Sequence, residues 1–182
     1  MKVVGFCGYS GAGKTTLAEQ LVAFLTRAGL RVSVVKHAHH DFDIDHPGKD
    51  SWRHRQAGAY EVVIASDRRM AKMREYPRLE EPTVDALLGE LVDCDWALVE
   101  GFKHAALPKI EVWRAATGKP ALYPADDHVI AVATDDVAAL PASTALPLFE
   151  LGEIERIAAF LQGRGDRHEY RPGRFRVGVG VD

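Results

Sequence analysis

The residues with most chemistry to offer stand in one run near the start of the chain, Gly8-Tyr9-Ser10-Gly11-Ala12-Gly13-Lys14-Thr15. Its glycines let successive backbone N–H groups curl around an anion, because a Cβ at those positions would obstruct the turn. Lys14 brings a cation suited to β- and γ-phosphates, and the Thr15 hydroxyl suits one position around Mg²⁺. A glycine-rich turn with no ligand has no need of the Lys-Thr pair. The spacing is therefore that of a phosphate-binding loop, with Gly8, Ser10, Gly11, Ala12, Gly13, Lys14, Thr15 and Thr16 as its binding residues.

Such a loop works only between a strand and a helix. Val3-Val4-Gly5-Phe6-Cys7 supplies an apolar strand ahead of it. Leu17, Leu21, Phe24, Leu25 and Ala28 repeat at helical spacing behind it, with Gly29 as a stop. The helix start adds unpaired N–H groups and the positive end of its dipole. A second acid is needed at the end of a neighbouring strand. Trp96-Ala97-Leu98-Val99 ends in Glu100-Gly101, which places Glu100 for Mg²⁺ or for a water, and the Gly101 N–H for the γ-phosphate. Lys14 and Glu100 are accordingly the candidate catalytic residues.

Directly after a second predicted strand, at 30–35, residues 36–51 crowd four histidines and four aspartates around only two clearly apolar residues, Phe42 and Ile44. Asp45 or Asp50 would complete a magnesium shell in a nucleotide-sensing switch. Alternatively His37, His39 and His40 would bind a transition metal. Among the basic residues, Lys103 and Lys109 are the best placed to meet an anionic substrate, and Arg68-Arg69 to supply transition-state charge.

Further strands are predicted at 60–66, 70–76 (antiparallel), 109–113 and 129–133, with helices opening at Pro82-Thr83 and ending near Gly163. This order predicts an α/β fold in three layers on a mostly parallel sheet. The 182 residues divide into a nucleotide-binding domain over 1–163 and a tail over 164–182 whose four glycines and five arginines predict flexibility. Phe175, Val177, Val179 and Val181 alternate in that tail as in an edge strand. Cys7 and Cys94 read as small buried apolar residues. A net charge of −3 argues against nucleic acid as a partner, and no segment is long enough for a membrane span or a signal peptide. The expected compartment is the cytoplasm.

Several stretches together resemble the MobB family of molybdopterin-guanine dinucleotide biosynthesis adapter proteins. They are Gly8 to Thr15, Lys36-His37-Ala38-His39-His40, Asp45-His46-Pro47-Gly48-Lys49-Asp50-Ser51, Arg55-Gln56-Ala57-Gly58-Ala59, Leu98-Val99-Glu100-Gly101-Phe102-Lys103 and Pro108-Lys109-Ile110-Glu111-Val112. The resemblance runs over residues 2–135. It implies a P-loop NTPase fold and binding of GTP with Mg²⁺, with Gly11, Gly13, Lys14, Thr15 and Thr16 holding phosphate and metal and with Glu100 and Gly101 as the second phosphate element. It also implies weak hydrolysis at most, a homodimer, and a MobA-like guanylyltransferase as partner in making the guanine dinucleotide form of molybdopterin cofactor, with direct pterin contact open. The Asn-Lys-x-Asp guanine motif of common GTPases is missing. Thr134-Asp135-Asp136 stands where it would fall, and Asp135 is the candidate acceptor for guanine N1–H and its amine. Two other classes compete: a nickel-delivering GTPase, suggested by the histidines, and a small-molecule P-loop kinase.

Overall fold

The computed structural model describes residues 1–38, 42–78 and 81–173. The chain divides into two compact units, one formed by residues 1–37 and 83–182 and the other by residues 38–82.

The larger unit is built on six strands: β1 (Lys2–Cys7), β2 (Val32–Lys36), β5 (Trp96–Glu100), β6 (Lys109–Trp113), β7 (Val129–Thr134) and β8 (Leu148–Glu150). They lie in the order β2-β5-β1-β6-β7-β8. Every pairing is parallel, including β1 with β5 and β1 with β6. Strands β1, β5 and β6 are buried almost throughout, as continuous apolar runs in a parallel sheet must be. One face carries Val4, Phe6, Leu98, Ile110 and Val112 against α1 (Lys14–Arg27) and α4 (Ile154–Gln162). Alternate residues, among them Val3, Ala97 and Val99, meet Val84 and Leu88 of α3 (Val84–Gly89) on the other. The Thr83 hydroxyl accepts the Ala86 N–H and starts α3, close to the Pro82-Thr83 signal.

The smaller unit holds α2 (Asp50–Gln56) and an antiparallel hairpin of β3 (Glu61–Ala65) and β4 (Met70–Arg74), which forms its own two-stranded sheet. At its turn the Ser66 hydroxyl accepts the N–H groups of Arg68 and Arg69. Val63, Ile64 and Met70 of this hairpin are exposed.

The chain keeps packing beyond Gly163. A short 3₁₀ turn at Gly165–His168 leads into an antiparallel bridge between Lys2 and Glu169. His168 is fully buried, with its Nδ1 3.1 Å from the Val3 carbonyl, and the Tyr170 N–H donates to the Met1 carbonyl at 2.9 Å. A flexible tail from 164 is thus not what residues 165–170 form: aromatic His168 and Tyr170 give this stretch core to bury. The alternating residues from Phe175 to Val181 lie outside the described residues.

Candidate functional site

Strand β1 sits between β5 and β6, and the chain reaches β2 and β5 on one side before crossing to β6 on the other. Ligands of open α/β sheets bind at such a switch, beyond the carboxyl ends of the strands. The glycine-rich loop stands there. Gly8 has φ +125° and passes so close to β6 that a Cβ would lie 2.2 Å from the Val112 carbonyl oxygen. Gly11 and Gly13 also have positive φ, yet a Cβ on either would meet nothing within 4 Å. The space beside these two glycines is open, as it would need to be for an anion to approach the loop's N–H groups. Ala12 N donates to the Tyr9 carbonyl at 3.2 Å, closing the turn, and the Ala12 methyl is buried in the core. Ala12 thus serves the site through its backbone. Ser10 and Gly11 are exposed at the rim, and Thr15 and Thr16 are exposed in the first turn of α1.

Lys14 folds back so that its ammonium donates to the Tyr9 carbonyl at 2.9 Å. Burial holds its pKa below the ordinary lysine value, and the charges of Lys36 and Lys103 push the same way against Glu100 and Cys7. Thr15 Oγ1 donates to Glu100 Oε1 at 2.7 Å. Glu100 is itself largely buried, and its Oε2 lies 3.6 Å from Lys36 Nζ. The register explains the meeting: Phe6 and Lys36 both pair with Glu100 across β5. A hydroxyl and a carboxylate converging beside a lysine, at the mouth of an N–H cradle, form a donor set that fits a hard divalent cation and a polyphosphate.

Gly101 follows with φ +101°, and a Cβ there would lie 2.9 Å from the Cβ of His37. That close approach and the left-handed backbone both require glycine. His37 N donates to the Glu100 carbonyl at 2.9 Å, and its ring stacks on Phe102 with centroids 5.0 Å apart. His39 and His40 lie outside the described residues. Among the described residues no group of three or more His, Cys, Asp and Glu is gathered as a metal site.

Asp135 follows β7, and its Oδ2 accepts from Arg114 Nε at 2.6 Å, joining the ends of β6 and β7. Asp136 is committed to its own turn, accepting the N–H groups of Ala138 and Ala139.

In the smaller unit, Asp45 accepts from the Ser51 hydroxyl at 2.8 Å and from Arg55 at 3.3 Å. Burial alone would raise its pKa, but the Ser51 hydroxyl, the His46 N–H and Arg55 together lower it. Arg55 also binds Asp43 and Glu75. The Asp45 carboxylate is therefore already occupied by internal partners.

Lys109 is corrected outright. It is 1% exposed, and its ammonium donates to Asp126 at 2.5 Å and to the carbonyls of Lys103 and Ala105. It braces the fold and faces no substrate. Glu111, two residues on, is fully buried and accepts the N–H groups of Leu122 and Tyr123, both at 2.7 Å. Burial still raises its pKa. Cys7, its neighbour across β1 and β6, is pushed up to about 12 by burial and then by the Glu111 charge, an inert thiol as its apolar setting implies. Sequence reasoning missed the Lys36–Glu100 and Arg114–Asp135 pairs. Only strand register brings them together, although Lys36 heads the histidine run.

The family model for molybdopterin guanine dinucleotide synthesis protein B, MobB, matches residues 3–135. This chain belongs to the MobB family. The protein named molybdopterin-guanine dinucleotide biosynthesis adapter protein in Escherichia coli K12 is 40% identical over 162 residues, covering 87% of this chain and 90% of its own length. Its namesake in Haemophilus influenzae is 41% identical over 163 residues, covering 88% and 87%. A crystal structure of molybdopterin-guanine biosynthesis protein B superposes with TM-score 0.67 at 30% identity, covering 88% of this chain and 98% of that one. A MobB homologue from Bacillus stearothermophilus gives TM-score 0.66 at 25% identity, covering 91% and 99%. These neighbours carry the three-layer P-loop fold. MobB membership leaves the nickel-delivery and kinase readings without support.

Proposed function

We propose that this chain is a GTP-binding adapter in the conversion of molybdopterin cofactor to its guanine dinucleotide, working with a MobA-like guanylyltransferase. The single observation that carries the nucleotide half is the Thr15–Glu100 contact of 2.7 Å beneath the loop that holds Lys14. The adapter half rests on kinship with proteins of that name. In this reading the backbone N–H groups from Ser10 to Thr16 and the Lys14 ammonium hold the phosphates. Thr15 and Glu100 hold Mg²⁺, which when bound supplies charge neutralisation between the β- and γ-phosphates. Gly101 offers its N–H to the outer phosphate.

Hydrolysis is slow at most, because no described side chain stands as a free general base beside the loop. Glu100 is engaged by Thr15 and Lys36, and intrinsic rates without a supplied arginine fall to about 10⁻³ per second. The protein acts as a homodimer in the cytoplasm. Among the described residues no helix is long and apolar enough to cross a membrane. The exposed apolar residues of the β3–β4 hairpin suit a dimer contact. Pull-down from a cell extract should recover the guanylyltransferase; a retained complex without it defeats the adapter reading.

Guanine selection falls to Asp135 in this proposal. Its Oδ2 already accepts from Arg114, so the base competes with that guanidinium for the carboxylate. Asp135→Asn replaces one carboxylate oxygen with an NH2 donor and leaves a single acceptor for the two N–H groups of guanine. It should reduce the ratio of GTP to ATP affinity by roughly tenfold, read by competition binding. An unaltered ratio rejects this residue.

A further inference from the structure

We propose that Lys103, supported by Lys36, makes the phosphate site selective for a nucleoside triphosphate over the diphosphate by presenting its ammonium to the terminal phosphate. This rests on the nucleotide-binding reading above and adds the residue that decides which phosphate state is held. Lys103 is half-buried and sits in a tight turn, its N–H donating to the Gly101 carbonyl at 3.0 Å. The turn brings its side chain back over the loop, with Nζ 5.3 Å from the centroid of the Tyr9 ring. Tyr9 is the residue whose carbonyl holds Lys14. Lys36 Nζ lies 3.6 Å from the Glu100 carboxylate.

Lys14 and Lys103 thus both meet Tyr9, Lys36 meets Glu100, and the Thr15 hydroxyl ties Glu100 to the same loop. One carboxylate cannot neutralise three ammonium groups. This positive excess belongs to a chain of net charge −3, so it is a local arrangement and no reflection of composition. A polyphosphate relieves it, and a triphosphate brings one more charged group than a diphosphate. Lys103 rests on an aromatic face, a contact weaker than a charge-assisted hydrogen bond to phosphate. It follows Glu100-Gly101, the segment whose N–H is offered to the outer phosphate. Lys14, rooted in α1, serves both nucleotides. Lys103 serves the group that only one of them has.

Calorimetry of the full chain with Mg²⁺, titrated separately with GTP and GDP, tests this. Lys103→Ala should lower GTP affinity about tenfold or more and GDP affinity less than about twofold. Lys103→Arg should restore most of the preference, and GTP binding by Lys103→Ala should depend less steeply on salt. Parallel loss of both nucleotides, or loss of neither, overturns the inference whatever the melting temperature of the variant. An unsubstituted chain that binds neither nucleotide overturns the nucleotide reading itself, a result separable from the first.

Discussion

Lys14→Ala loses nucleotide affinity by about 3 kcal/mol or more, at least a hundredfold, in calorimetry with GTP and Mg²⁺. The ammonium is partly desolvated in the free protein, held by one carbonyl and pressed by two other lysines. Charge is costly to keep in such a place unless an anion arrives. The fold depends on it little. Its ammonium donates to the Tyr9 carbonyl in the adjacent loop and braces no distant element, so the melting temperature without nucleotide should stay close to that of the parent. Thr15→Val offers a graded comparison: it removes the hydroxyl on Glu100 and should weaken binding only in the presence of Mg²⁺. Normal GTP binding by Lys14→Ala would place the site elsewhere.

Asp126→Ala destabilises the protein by about 3 kcal/mol, measured by denaturant unfolding without nucleotide. Lys109 Nζ would then keep two carbonyl acceptors and lose its counter-ion, at a side chain that is 2% exposed. An uncompensated interior charge is the source of that penalty. The double variant Lys109→Met with Asp126→Ala removes both charges and should recover much of the loss. A single variant costing under about 1 kcal/mol would mean that the pair does not brace the fold.

The pH profile follows from opposite shifts. For Asp126, burial pushes the pKa up, but Lys109 and the His128 N–H outweigh it and leave it low. Its contribution is therefore complete above the ordinary aspartate range and lost as pH falls through the depressed value. Glu111 is raised by burial, so its contribution is present below the ordinary glutamate range and lost as pH rises through the raised value. Acid should thus weaken the parent through Asp126 while partly compensating through Glu111. In Asp126→Ala the acid-side loss should shrink.

Much of the site was legible because its signals are local. The loop from Gly8 to Thr15 needs glycine at fixed offsets, and Lys14 and Thr15 follow in the first helical turn. Trp96 to Glu100 announces itself as a buried strand with an acid at its end. The antiparallel 70–76 reading is met by β4, but its partnership with β3 in a separate sheet is not a property of either segment. Strand β8 escaped notice because Leu148–Glu150 is three residues long, too short to show a period. Its pairing with β7 comes from the sheet edge available to it.

By itself, then, the sequence determined the glycine-rich loop between strand and helix, the parallel α/β order and the family, since backbone conformation and hydrophobic period are written in neighbouring residues. Tertiary structure decided what each charge does. Lys103 and Lys109 look alike along the chain, yet one lies over Tyr9 and the other is buried against Asp126. Lys36 meets Glu100 only through the register of β2 on β5. A charge takes its role from burial and from the partner within a few ångströms, and that partner is set by how distant segments pack.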